Sequence, residues 1–221
     1  MLRIISVLLL LGLVSCVSAT PPQQFPDNCR AEASVAQLLA ENWLDQTGIW
    51  RLRQVTLLEV GHKKIPLEGF LRLDLAKGEA RLVAMNEMGL VLFDLLVTED
   101  DQQLQRAIPQ LRQVKGLSLG IAQSLRWIFL QPRPQTDDQL TTRDNIQQLR
   151  RELPGGSLAF NYDCRRDLRN IRFLADGGDW RVAYDQYRQF GSSRLPELII
   201  MNDFQHGVKL SLWIREVKQE R

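Results

Sequence analysis

From Trp50 onward, apolar and polar residues alternate. Trp50 and Leu52 are interleaved with Arg51 and Arg53, and Leu71, Leu73 and Leu75 with Arg72 and Asp74. Successive side chains of a strand point to opposite faces, so a period of two predicts half-buried antiparallel strands. Turn-forming residues punctuate the pattern at Lys77-Gly78, Asn86-Glu87-Met88-Gly89, Gly177-Gly178 and His206-Gly207. Strands are therefore predicted at 48–60, 67–76, 79–86, 90–98, 157–164, 169–175, 179–188, 196–202 and 207–217, in the order of a meander.

Two stretches follow a different period. Between 32 and 43, Val35, Leu38, Leu39 and Trp43 recur at helical spacing and predict a short amphipathic helix. Between 101 and 131, Leu104, Ile108 and Leu111, then Leu117, Ile121, Leu125 and Ile128, suit two short helices split near Lys115-Gly116 and ended by Pro132 and Pro134. Strands, a helical insertion and further strands describe one α+β domain. Parity places Trp50, Leu52, Leu71, Leu73, Leu82, Phe160, Tyr162, Phe173, Trp180, Val182, Tyr184, Leu210 and Leu212 on the inner face. So large an apolar face must close on itself or be covered. A curved, incomplete antiparallel barrel with helices as a lid either packs solid or encloses a ligand cavity, and composition leaves both open.

The amino-terminal segment reads as an address. After Arg3, the stretch 4–13 is apolar except for Ser6 and Gly12, and Leu13-Val14-Ser15-Cys16 follows. A bilayer-spanning helix needs roughly 20 apolar residues, so the run reads as the apolar centre of a signal peptide. The last four residues resemble the bacterial lipobox, which implies cleavage before Cys16 and lipid on its thiol. The alternative is an ordinary signal peptide cut near Ala19. On the lipobox reading, residues 1–15 are the signal, 16–28 a lipidated, polar, proline-rich tether, and 29–221 the domain. More than one acyl chain is needed for stable anchoring, and the lipobox implies several. Val17, where an Asp would retain the protein in the inner membrane, favours the outer membrane and its periplasmic face.

About 205 residues remain after the signal, enough for one domain with a sizeable core. A net charge of +2 without a long basic run gives no indication of nucleic acid. With Cys16 lipidated, Cys29 and Cys164 are an even pair that could close a disulfide in an oxidising compartment, although sequence does not show that they meet. His62 and His206 stand beside turn glycines without metal-site spacing, and no nucleophile elbow is present. Glu99, Asp100-Asp101 and Asp137-Asp138 read as loop charges. No metal, cofactor or catalytic residues are expected.

Several segments together resemble LolB, the outer-membrane lipoprotein that receives lipoproteins from the periplasmic carrier LolA. They are Arg81-Leu82-Val83-Ala84-Met85-Asn86-Glu87-Met88-Gly89, Ser124-Leu125-Arg126-Trp127-Ile128-Phe129-Leu130 before Pro132, Gly177-Gly178-Asp179-Trp180-Arg181-Val182-Ala183-Tyr184, Leu195-Pro196-Glu197-Leu198-Ile199-Ile200-Met201 and Val208-Lys209-Leu210-Ser211-Leu212. The resemblance spans about residues 35 to 217 and rests on their order and spacing. It implies an incomplete barrel plugged by helices, an apolar cavity for acyl chains of lipids or lipoproteins, a LolA-like carrier as partner, and a monomer. It also implies that Met88, at a loop tip, contacts the membrane; the alternative is a turn methionine folded back onto the sheet. Two features depart from the LolB pattern. Glu87-Met88 stands where the family has Pro-Leu, and Cys29 and Cys164 have no counterpart. They leave room for a LolB-like branch serving a specific lipid, such as an acyl or aryl-polyene product, or acting as a scaffold.

Overall fold

The computed structural model describes residues 29–41, 43–44, 46–175 and 178–220. The signal peptide, Cys16 and the tether lie outside the described residues, as does Gly177 of one predicted turn. A short helix α1 (Val35–Ala40) leads into β1 (Ile49–Val60), β2 (Lys63–Asp74), β3 (Glu79–Met85), β4 (Val91–Val97) and β5 (Gln102–Ala107). Then come α2 (Pro109–Arg112) and α3 (Leu117–Leu125), the latter prolonged by a π-helical turn at Arg126–Leu130. The chain resumes with β6 (Gln139–Arg143), β7 (Ile146–Leu153), β8 (Gly156–Asp163), β9 (Leu168–Ala175), β10 (Trp180–Phe190), β11 (Ser193–Asp203) and β12 (Val208–Glu220).

All twelve described strands share one antiparallel sheet in the order β5-β4-β3-β2-β1-β12-β11-β10-β9-β8-β7-β6. The first strand pairs with the last, from Ile49 opposite Glu220 to Val60 opposite Val208. Two meanders are thereby fused side by side. Twisted sheets beyond about ten strands curl, and bulges at Arg53/Gln54, Ala84/Met85, Asp94/Leu95 and Asn161/Tyr162 add local bend. The edges are β5 and β6, and they are consecutive in sequence apart from the helical segment. That segment therefore has to pass from one edge of the sheet to the other, and α3 packs on β4 and β5 as it does so. The α+β class and the unclosed, curved antiparallel sheet agree with the expectation from the sequence.

Two parts of the chain differ from the sequence expectation. Residues 102–107, predicted as helix, form edge strand β5, where Leu104 is exposed. The stretch from 139 to 153 contains β6 and β7, which alternation did not signal. Asp138, read as a loop charge, has a fully buried side chain that accepts hydrogen bonds from Arg151 Nε at 2.7 Å and from the Gln135 backbone N–H at 2.9 Å. It fixes the return from the helical segment to the sheet.

The amino-terminal arm is latched to the β6–β8 side. Cys29 and Cys164 are disulfide-bonded, with their Cα atoms 5.8 Å apart. Buried Gln147 accepts from the Ala33 N–H at 3.0 Å and donates to its carbonyl at 2.6 Å. A capping box between Ser34 and Gln37 then starts α1, which buries Leu38 in the core.

Candidate functional site

The concave side is filled unevenly. Along β8–β10 and at the Trp50–Leu52 and Leu71–Leu73 ends of β1 and β2 it is solid: Phe160, Tyr162, Trp180, Val182 and Tyr184 join Trp50, Leu52, Leu71 and Leu73 in one buried cluster. The Tyr184 hydroxyl donates to the Ile128 carbonyl at 2.9 Å, capping the π-helical turn. Burial pushes the hydroxyls of Tyr162 and Tyr184 well above the ordinary tyrosine range. A small void of about 40 Å³ lies here, bordered by Trp43, Phe129, Tyr162 and Tyr184.

Under α3, on the β1–β4 side, the sheet and helix separate around an open cavity of about 680 Å³. Small-molecule sites commonly occupy roughly 300–1,000 Å³. The wall is mostly apolar: Leu58 and Val60 from β1, Leu82 and Ala84 from β3, Phe93 from β4, and Leu210 and Leu212 from β12. Opposite them, Leu117, Ile121 and Leu125 of α3 form the roof. Trp127 borders both this cavity and the small void, so its indole is the partition between the open and filled halves. It is held by stacking on Trp180, ring centroids 4.7 Å apart and planes at 15°, and Trp180 in turn stacks on Phe173 at 6.1 Å.

Of the thirteen residues assigned to the cavity from parity, Leu82, Leu210 and Leu212 line it. Trp50, Leu52, Leu71, Leu73, Phe160, Trp180 and Val182 are in the solid core instead, with Phe173 packed against it, and Tyr162 and Tyr184 border only the small void. Parity finds the inward face but not its depth. Large aromatics from β8–β10 meet Trp43, Phe129 and Trp127 and use up the space, whereas small residues at Gly69 and Ala84 leave it open.

Sequence reasoning missed Gln54 and Thr56. They continue the inward register of Trp50 and Leu52 along β1 and line the cavity while almost wholly excluded from solvent, at 2% and 6% exposure. Gln54 faces Gly69 across β1 and β2. A Cβ on Gly69 would approach Gln54 Nε2 to 3.2 Å and Leu82 Cδ1 to 3.1 Å, so the glycine makes room for the glutamine side chain. Polar residues interrupting an apolar inward register were the available signal.

The cavity opens towards one end of the sheet. Val60 pairs with both Lys63 and Val208, and Glu68 pairs with Met85, so the β1–β2, β3–β4 and β11–β12 hairpins all project from that end. In the β3–β4 turn, Asn86 Oδ1 accepts from the N–H groups of Met88 at 3.0 Å and Leu90 at 2.9 Å, and Gly89 supplies the positive φ. The turn is thereby set, and the Met88 side chain stands out at 87% exposure. Phe204, on the β11–β12 hairpin, is 59% exposed. Val114 and Leu119 on the helical side are exposed at the cavity rim. Charges at this end include Glu59, whose carboxyl is held below its usual range by a hydrogen bond from Lys64 and by Lys209. His206 bonds Asp203 at 2.8 Å beside the mouth, and His62 is exposed in the β1–β2 turn.

A curved sheet with a helix across its concave side, enclosing an apolar cavity, can be compared with solved structures. A LolA-superfamily protein from Nitrosomonas europaea superposes with a TM-score of 0.55 at 11% identity, covering 86% of this chain and 95% of that one. This chain shares the fold of that protein. An outer membrane lipoprotein-sorting protein domain from Vibrio parahaemolyticus aligns more loosely, with a TM-score of 0.49 at 10% identity over 84% of this chain and 91% of that one. No family model matches the sequence, and no curated protein is similar to it.

Proposed function

We propose that the protein is a lipoprotein anchored through Cys16 to the periplasmic face of the outer membrane, where it takes acyl chains of lipoproteins or lipids into its cavity and delivers them to the bilayer. The observation that carries this reading is the apolar cavity of about 680 Å³ between α3 and strands β1–β4. Its lining offers acyl chains what water does not, so uptake follows from the removal of apolar surface from solvent. The LolB-like segments and the LolA-superfamily fold support the same class of ligand, with a LolA-like carrier as donor.

Delivery is argued from the end of the sheet at which the cavity opens. Met88 and Phe204 project there beside exposed Val60 and Leu90. Contact of these side chains with lipid brings the mouth against the bilayer, and the chain leaves because the bilayer is the better apolar environment. Differential affinity sets the direction, and no catalytic step or cofactor is involved.

The narrower reading, a dedicated binder for one lipid pathway, has two observations in its favour: Glu87 beside the loop tip, which resists burial in lipid, and the polar pair Gln54 and Thr56 in the cavity wall. A scaffold that merely uses the fold would have no need of an open interior.

Transfer of an acylated lipoprotein from LolA to this protein, and on to liposomes, tests the proposal. Met88→Glu is expected to leave uptake unchanged and slow release to liposomes about tenfold or more, since a charged side chain is costly to place in the bilayer. Failure of the wild-type protein to take up any acyl chain would overturn it.

A further inference from the structure

The cavity wall contains two polar atoms that its apolar surroundings leave without partners. Gln54 Oε1 and the Thr56 hydroxyl are both buried and neither makes a hydrogen bond, while both residues line the cavity. They belong to the same face of β1, two residues apart, which separates their Cα atoms by about 7 Å. They stand at the inner end of the cavity: along β1 they lie between Val60 at the mouth and Leu52 in the solid core. From Val60 to Gln54 is six residues, or about 20 Å of strand. Both atoms are already closed off from solvent, and a plain hydrocarbon chain filling this length would satisfy neither, leaving the desolvation cost of each uncompensated.

We propose that the cavity is built for an apolar chain carrying one group that both donates and accepts a hydrogen bond, a hydroxyl or a secondary amide, seated between Gln54 and Thr56. The deduction rests on the acyl-binding reading above and makes it more specific. A half-turn of the Gln54 side-chain amide exchanges its oxygen and nitrogen, so a group with both capacities fits either orientation. The threonine hydroxyl likewise donates or accepts as required. An ester has acceptors only and so fits one of the two amide orientations, and an unsubstituted chain has neither capacity at this depth. Gly69 fits this assignment: it gives Gln54 room to lie against the β2 wall, and a side chain there would meet the glutamine and Leu82.

The test uses the full chain with Cys16→Ser, which removes the proposed lipid attachment point, and competition against a fluorescent fatty acid. The probes are hexadecanoic acid methyl ester, in-chain hydroxylated hexadecanoic acid methyl esters with the hydroxyl at different positions, and N-alkyl amides of the same overall length. At least one hydroxylated ester or amide is expected to bind about tenfold more tightly than the plain ester, the scale of one or two net hydrogen bonds. Which class wins distinguishes a hydroxylated chain from an amide-linked one. In Gln54→Met with Thr56→Val, shape-conserving replacements, the preference is expected to vanish while the plain ester binds as well or better. Equal binding of all probes to the wild-type protein, or a preference that survives the double substitution, would overturn the inference and leave the acyl-binding reading standing. Binding of no probe at all, by a chain whose thermal unfolding is cooperative, would overturn both.

Discussion

The three tyrosines of the chain show how far single side chains are committed to the filled half of the barrel. Tyr184 bonds the Ile128 carbonyl and Tyr187 the Leu168 carbonyl at 2.7 Å, and burial is the main cause of raised hydroxyl pKa values at Tyr162, Tyr184 and Tyr187 alike. An unfolded tyrosine ionises near pH 10. Because the folded values are raised, the contribution of these residues to stability is complete below about pH 10 and is lost as pH rises beyond it. Tyrosinate absorbance is therefore expected to stay flat through pH 10 and to appear together with loss of native circular dichroism. A stepwise titration of a folded protein would contradict the burial. At this scale the sequence was partly legible. Alternation identified which residues of β1, β2 and β10 face inward, and the turn at Asn86–Gly89 was evident from composition. That Gln54 and Thr56 share the inward register was available from the same alternation, but a rule that looks for apolar residues passes over them.

At the scale of elements, the decisive one is the helical segment that joins the two sheet edges. Arg126, buried at its carboxyl end, donates from Nε to the Thr98 carbonyl and from an Nη to the Asp101 carbonyl, both at 2.7 Å, and also to Gln102 Oε1 at 3.1 Å. One guanidinium thus fastens the helix to the β4–β5 turn and satisfies two carbonyls there. Replacement by Ala is expected to cost about 2–4 kcal/mol and to speed amide hydrogen exchange selectively at 109–130. Uniform exchange, with unchanged unfolding, would show that the helix is held by packing alone. The segment around this arginine was legible as helix from its apolar spacing, whereas its neighbours were not. In β5, Leu104 followed by Ile108 and Leu111 mimics helical spacing, yet Leu104 is an exposed residue of an edge strand and only the later two belong to the helical region. In β6 and β7 the pattern fails because β6 is exposed throughout and Gln147 fills an inward position of β7, where it bonds the Ala33 backbone instead of packing. Strands whose inner positions are polar or solvated carry no alternation to read.

The described residues form a sheet divided by Trp127 into a solid part that carries the amino-terminal arm and an open part that carries the cavity. The Cys29–Cys164 disulfide joins segments 135 residues apart in sequence, and cross-links of this kind typically contribute about 2–5 kcal/mol. Cys164→Ser is accordingly expected to lower the thermal midpoint by several degrees and to release the arm around 29–34 to proteolysis, with acyl binding intact because the cavity lies in the other half. Loss of binding with the disulfide would instead couple the two halves. The division itself was not legible in the sequence, because parity assigns a face to each residue but the depth of packing depends on which aromatics converge from distant strands.

Acyl-chain binding in a protein whose cavity has been filled tests most directly whether the cavity is the binding site. Ala84 is buried on the cavity wall, opposite Gly69 and Phe93 in the neighbouring strands, and a large side chain there takes up cavity volume. In native mass spectrometry of the full chain carrying Cys16→Ser, mixed with hexadecanoic acid methyl ester, a ligand-bound species is expected for the Ala84 form. Loss of that species is expected for Ala84→Trp, in a protein that still unfolds cooperatively. Equal retention of the ester by both proteins would place the lipid elsewhere and contradict the cavity as the site of binding.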